Sequence, residues 1–152
     1  TQAEEAANFY CGIFPNSRIT QITHHTQASV EHSPLPVGAV LTVDFELDGQ
    51  RITALNGGPM FTPNESVSLM ILCEDQAEID RYWEQLTAGG GEESACGWLK
   101  DKFGVSWQVV PKRMDEMMAE GNEARLNAVT AEVMKMQKLD LATIEKAYAS
   151  VA

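Results

Sequence analysis

The sequence has few cationic residues. It carries 11 Lys and Arg against 22 Asp and Glu in 152 residues, which gives a formal net charge of −11 at pH 7. Proteins that bind nucleic acids or anionic membranes need clustered Lys and Arg to neutralise phosphate groups. The charge balance therefore disfavours both kinds of partner, and we expect small organic ligands or other protein chains instead.

The chain also lacks a cysteine framework and a long apolar run. Its three cysteines, Cys11, Cys73 and Cys96, are an odd number and do not have the short spacing of a zinc site. We therefore expect neither a disulfide scaffold nor a zinc knuckle. No stretch approaches the roughly 18 apolar residues of a membrane span. The first residues show no basic and apolar signal pattern. The cysteine pattern fits a reducing, cytoplasmic environment best.

Helical and strand patterns alternate along the first 111 residues, and the hydrophobic content of 44% suits a compact domain with a core. Asp48-Gly49 between two alternating runs predicts a tight hairpin. Pro34 and Pro36 predict a mobile loop over Gln27 to Gly38. Helices are predicted at Ala3 to Phe14 and Gln76 to Ala88, and strands at Arg18 to Thr26, Ala39 to Leu47, Arg51 to Asn56, Val67 to Cys73 and around Trp98 and Trp107.

The segment from Cys96 to Pro111, CGWLKDKFGVSWQVVP, predicts a tight turn followed by a strand. Asp101 and Gly104 suit the ends of the turn, because Asp bonds to nearby backbone and Gly tolerates positive φ. Strand alternation places Ser106, Gln108 and Val110 on one face and Val105, Trp107 and Val109 on the other. If Gln108 lines a pocket, Trp107 is therefore expected in the core.

Four segments carry a family resemblance: AEEAANFYCGIFPNSRI (Ala3 to Ile19), ALNGGPMF (Ala54 to Phe61), EIDRYWEQLTAGGG (Glu78 to Gly91) and Cys96 to Pro111. Together they resemble the PhnB-like branch of the vicinal oxygen chelate superfamily, which has the glyoxalase and bleomycin-resistance fold. Members of this bacterial branch are often labelled as 3-demethylubiquinone-9 3-methyltransferase domains.

The resemblance implies an α+β fold of two tandem βαβββ half-modules that form a curved sheet. The glyoxalase-like domain would cover residues 1–111, with halves of about 1–61 and 62–111. The first half begins directly with its helix, so the strand that opens the family pattern is expected to be absent from the sequence. The resemblance also implies a homodimer, with a ligand pocket between paired half-modules.

Relatives in this superfamily usually hold a divalent metal with His and Glu side chains from four strands. At the positions that match, this sequence has Gln108, Ser68 and, with the register open, Asn56 or Ala54; the fourth position falls on the absent strand. No metal ligand is therefore predicted, although a divalent metal stays possible, with Glu65 and His25 as alternative donors. The same polar residues could line a metal-free pocket or be satisfied interior groups.

The cysteine, tryptophan and histidine candidates each have a packing or surface role as the alternative to a functional one. Cys96, beside Gly97 and Trp98 and near Lys100, is the best placed thiol for a nucleophile or a pocket, and Trp98 is a candidate stacking surface. His24 and His25 are neighbours on a predicted strand and point to opposite faces. His32, beside Glu31 in the polar loop, fits a surface role unless that loop folds over the pocket.

Two function classes remain, with a degenerate scaffold that works only through its dimer and helical tail as a third possibility. The first is a metal-free protein that binds a small apolar or aromatic molecule, with Asn56, Ser68, Gln108, Trp98 and Cys96 as pocket candidates. The second is a divalent-metal-dependent enzyme of the lyase, isomerase or dioxygenase type. Methyl transfer is not expected, because Gly57-Gly58 precedes Pro59 and Gly89 to Gly91 follows a helix. Neither makes the strand, glycine turn and helix of a common adenosylmethionine site.

The tail over residues 112–152 is predicted to be helical and rich in Met. Met114, Met117 and Met118 precede Gly121, and Asp140 is a candidate N-cap for a last helix. A Met stripe is more often adaptable packing than a cofactor site. The tail is therefore expected to pack on the domain or on a partner subunit.

Overall fold

The structure is a computed structural model that describes residues 1–151, without the side chain of His32. The chain forms two compact units, Thr1–Thr62 and Pro63–Ala152. Within the described residues, no helix has the length and apolar character that crossing a membrane requires. The helices are α1 (Ala3–Ile13), α2 (Gln76–Thr87), α3 (Lys112–Glu120), α4 (Glu123–Val133) and α5 (Leu141–Ala149), and the strands are β1 (Arg18–His24), β2 (Val40–Leu47), β3 (Gln50–Leu55), β4 (Leu69–Cys73), β5 (Glu92–Glu93), β6 (Trp98–Lys100) and β7 (Ser106–Pro111).

The first unit is an antiparallel sheet in the order β1-β2-β3 with α1 against it. The apolar face of α1 meets the buried side of β2, where the Tyr10 and Phe45 rings stack with centroids 6.2 Å apart. Asp48 and Gly49 both have positive φ, 45° and 83°. This is the backbone that a two-residue hairpin turn needs, and the predicted hairpin is confirmed.

The loop between β1 and β2 is more structured than the mobile loop that its prolines predicted. It contains a short 3-10 helix over Ser29–His32. The strand ends at His24, and His25 is buried with its Nδ1 3.0 Å from the hydroxyl oxygen of Ser29. The imidazole thus anchors its own loop. The predicted surface role of the His32 side chain lies outside the described residues.

The second unit has a four-stranded sheet in the order β4-β7-β6-β5, in which β4 runs parallel to β7. Asp75 caps α2, since its carboxylate accepts a hydrogen bond from the Glu78 N–H at 2.9 Å. The apolar face of α2 is buried, and the Trp83 indole N–H donates to a Glu93 carboxylate oxygen at 2.8 Å. Trp83 is therefore a core residue, as its helical spacing predicted.

The turn before β7 is built on Asp101, which is buried. One carboxylate oxygen accepts from the backbone N–H groups of Phe103 (2.9 Å) and Val105 (3.1 Å). The other accepts from the Trp107 indole N–H at 2.8 Å. Asp101 thus holds the turn as predicted, and it also fixes Trp107 in the core on the face opposite Gln108.

The tail helices share a core with β7 inside the second unit. The members of this cluster are Val110, Met117, Val129, Val133, Leu139, Ile144 and Tyr148. Asp140 caps α5 through the Thr143 N–H at 2.7 Å, which confirms the predicted N-cap. Gly97 has φ 82°, and a Cβ there would lie 2.9 Å from the Val109 carbonyl oxygen, so this position requires glycine.

Candidate ligand pocket

One face of the second sheet is free of α2. Residues directly opposite each other on paired strands share a face. Trp98 pairs with Gln108 and Lys100 pairs with Ser106, while Met70 is the partner of Gln108 on β4. These five residues therefore point to one side, whereas Leu99, Trp107 and Val109 point to the side that α2 covers.

A cavity of about 440 Å³ opens on this face, within the range of small-molecule sites. Its walls come from the end of β5, the turn before β6, β6 itself and the start of β7. The lining residues that bear on its chemistry are Glu65, Glu92, Cys96, Trp98, Lys100 and Ser106. The cavity thus combines an aromatic surface, charged groups and a hydroxyl.

The Ser106 hydroxyl is a buried polar group of this pocket that lacks a hydrogen bond among the described residues. Ser106 is 2% exposed, and its Oγ has no hydrogen-bond partner within the described part of the chain. Leaving a buried hydroxyl without a partner costs about 1–3 kcal/mol. A polar atom of a ligand that entered the cavity could remove this cost.

The charged wall of the pocket is centred on Lys100. Its ammonium forms an ion pair with the Glu65 carboxylate. The hydrogen bond between them, and then the attraction of their opposite charges, raises the pKa of Lys100 and lowers the pKa of Glu65. Glu92 is the cross-strand partner of Lys100 on β5 and raises the pKa of Lys100 further.

Cys96 lines the same pocket in an unusual backbone conformation, with φ 59°. Its backbone N–H donates to the Met136 carbonyl oxygen at 2.8 Å, and its Sγ is 3.7 Å from the Met134 sulfur. A thioether is no base, so this contact does not activate the thiol. The geometry supports a lining role for Cys96 more than a nucleophilic one.

The other sequence candidates lie elsewhere. The Gln108 side-chain amide donates to the Ser68 hydroxyl at 2.9 Å. Gln108 is the cross-strand partner of Trp98, and neither Gln108 nor Ser68 lines the cavity. Asn56 belongs to the first unit, where its amide accepts from Ala3 N–H and donates to the Val40 carbonyl, both at 3.0 Å. Asn56 is therefore a satisfied interior group and not a pocket residue.

These donors do not fit a divalent metal. Such a site needs several oxygen or nitrogen donors that converge with lone pairs free. The Asn56 amide oxygen already accepts from Ala3 N–H, and the Gln108 amide and Ser68 hydroxyl are neutral groups bonded to each other, not charged ligands. In residues 1–151, with the side chain of His32 set aside, no group of three or more His, Cys, Asp and Glu lies close enough together to hold an ion.

Glu92, Lys100 and Ser106 were not singled out as site residues from the sequence. The strand register was a usable signal, because it already placed Ser106 on the face of Gln108. The pairing of β6 with β7 then brings Lys100 beside Ser106. Glu92 could not be found this way, since the two-residue strand β5 has no periodic pattern.

Comparison with known proteins places the chain in a family. A family model described as 3-demethylubiquinone-9 3-methyltransferase matches residues 1–110. A search of curated proteins finds no match. A solved structure of a PhnB protein from Bacillus cereus, which carries a 3-demethylubiquinone-9 3-methyltransferase name, is 33% identical with a TM-score of 0.58, covering 72% of this chain and 91% of its own.

A second structure shows the same fold at lower identity. Protein PA1353 from Pseudomonas aeruginosa is 18% identical, with a TM-score of 0.54 over 71% of this chain and 87% of its own. The α+β arrangement of helices and two open sheets described above matches that of the PhnB protein. The chain therefore belongs to the PhnB-like family described as 3-demethylubiquinone-9 3-methyltransferase.

Proposed function

We propose that this chain is a small-molecule-binding protein that works without a metal, with its ligand site at the pocket of the second unit. The observation that carries the proposal is the buried Ser106 hydroxyl, which has no hydrogen-bond partner among the described residues and lines a cavity together with Trp98. A site of this kind offers apolar contact together with one unsatisfied polar group that orients the ligand. The earlier expectation of a pocket between half-modules stays a prediction.

Methyl transfer has no comparable support from local geometry. The strand-to-helix turn of the second unit runs from β4 to α2 through Glu74 and the capping Asp75. An adenosylmethionine site of the common type has a glycine-rich turn there, which lets the backbone approach the cofactor. Glu74 and Asp75 carry side chains where the common site has glycine. They therefore provide neither the close approach of the backbone to a cofactor nor the open space that the cofactor needs.

The fold within the family can also be proposed in finer detail. The second unit follows the order β4-α2-β5-β6-β7, with β4 placed beside β7. The first unit follows α1-β1-β2-β3 with the strands as sequential neighbours, like β5, β6 and β7. We propose that both units are versions of one βαβββ module. A homodimer, implied by the resemblance, stays a prediction that sedimentation equilibrium would test.

A thermal-shift screen of apolar and aromatic compounds tests the binding proposal. A ligand of the folded protein raises the melting temperature by mass action. We expect hits whose affinity falls about tenfold in Ser106→Ala and in Trp98→Leu. Ser150→Ala is the matched control, because its hydroxyl is exposed and bonds the Ala147 carbonyl at the end of α5.

The outcomes separate the two function classes. Metal-free binding is supported by compounds that still bind after the protein has been dialysed exhaustively against a chelator, and whose affinity falls in the pocket variants. A hit that requires an added divalent ion, or a melting temperature that rises with the ion alone, contradicts it and favours the enzyme. A broad library without any hit also contradicts the proposal.

A further inference from the structure

We infer that the pocket of the second unit takes a small organic cation, an amine carried on an apolar or aromatic body. This inference rests on the proposed binding function and adds the ligand class. Among the described residues that line the cavity, Glu65 and Glu92 contribute carboxylates on this face, and Lys100 contributes the single ammonium; the Glu93 carboxylate accepts from the Trp83 indole on the α2 side. A ligand that enters therefore meets an excess of negative charge.

The ammonium of Lys100 is already neutralised. It is ion-paired with Glu65, and Glu92 faces it across the β5–β6 ladder. An anionic ligand would have to displace Glu65 from Lys100 and then remain close to Glu92. A cationic ligand can enter without displacing Glu65 from Lys100. It is attracted by the negative charge of Glu92, because Lys100 is already paired with Glu65.

The uncharged groups of the pocket favour the same class. The face of a Trp ring attracts cations through its quadrupole, and Trp98 is half-buried in the wall. The buried Ser106 hydroxyl has lone pairs that can accept an N–H from an amine. Carboxylate, indole face and hydroxyl are thus three complementary contacts for an ammonium group within one cavity.

A matched set of probes tests the ligand class. Phenethylamine, phenethyl alcohol and phenylacetate share an aromatic ring and differ in the charge of the polar end. Their dissociation constants would be measured by ligand-observed NMR on the whole chain at low and high salt. We expect phenethylamine to bind at least tenfold more tightly than phenylacetate, with an advantage that shrinks as salt screens the charges.

The variant Glu92→Gln removes the charge and keeps the shape of the side chain. We expect it to weaken phenethylamine about five- to tenfold while phenethyl alcohol changes less than twofold. Glu145→Gln is the control, because it makes the same charge change at an exposed position on α5. It should leave all three dissociation constants unchanged.

The results distinguish the two proposals. Phenethyl alcohol or phenylacetate binding as tightly as phenethylamine, with loss in Trp98→Leu, overturns the cation inference and leaves the binding function standing. Absence of binding by all three probes overturns the cation inference, while the broad compound screen decides the binding function separately. A phenethylamine preference that Glu92→Gln does not reduce places the cation elsewhere and also overturns the inference.

Discussion

The Gln108 side-chain amide donates a hydrogen bond to the Ser68 hydroxyl at 2.9 Å. These are two of the positions at which the resemblance implies metal ligands, and here they are hydrogen-bonded to each other. The bond spans 40 residues of sequence and joins β7 to the segment that leads into β4. It therefore strengthens the parallel edge of the sheet beside the pocket.

A double-mutant cycle measures the strength of this bond. Gln108→Leu and Ser68→Ala are expected to show a coupling energy of about 0.5–1.5 kcal/mol in urea unfolding, the usual net value of a hydrogen bond. The matched cycle pairs Gln108→Leu with Ser150→Ala and should show no coupling. Additive effects in the first cycle would mean that the bond does not form in solution.

Ser106→Ala is expected to stabilise the ligand-free protein. The variant removes a buried hydroxyl without a partner among the described residues, so the free energy of unfolding should rise by about 1 kcal/mol. Chemical denaturation without ligand measures the change, with Ser150→Ala as control. A loss of stability would show that the hydroxyl is satisfied, and would remove the observation that supports the pocket.

The cysteines should differ in their reaction with iodoacetamide. Cys73 is fully buried, and desolvation raises its pKa to about 12, so almost no thiolate is present or reachable at neutral pH. Cys96 is half-buried at the pocket wall. Mass spectrometry of native protein should find Cys96 modified well before Cys73, and both modified in denaturant. Equal native rates would contradict the burial of Cys73.

The link between α3 and α5 predicts a pH-dependent stability. The Tyr148 hydroxyl donates to a Glu120 carboxylate oxygen at 2.5 Å, and this bond is the main cause of the lowered pKa of Glu120. A carboxyl whose pKa is lower in the folded state stabilises the fold above its unfolded pKa, and the contribution is lost as pH falls through the folded pKa.

Glu120→Gln should therefore reduce stability at neutral pH and have little effect in acid. The difference from the parent chain should shrink as pH falls below about 4.5, the ordinary value for Glu. Thermal unfolding across a pH series measures it. Glu145→Gln, on an exposed part of α5, should show no such trend. A loss of stability in Glu120→Gln that is the same at every pH would contradict the lowered pKa of Glu120.

Local patterns in the sequence determined much of this protein. The helical period placed Trp83 in the core, and Asp48-Gly49 specified the hairpin. Asp101 and Asp140 were recognised as a turn residue and an N-cap. Each of these features depends on residues a few positions apart, so propensity, capping and turn geometry suffice to predict it. The alternation of β7 likewise separated Trp107 from Gln108 correctly.

The pocket was decided by tertiary structure. Strand pairing, which no local pattern specifies, brings Lys100 beside Ser106 and Glu92 opposite Lys100. The burial of Ser106 without a hydrogen-bond partner among the described residues is a property of the packed sheet. Asn56 and His25 were candidate donors because of their type. A long-range hydrogen bond from Ala3 places Asn56 in the interior, and His25 is buried against Ser29 of its own loop. Residue type reveals what a side chain can do, and only the contacts made by distant parts of the chain decide what it does.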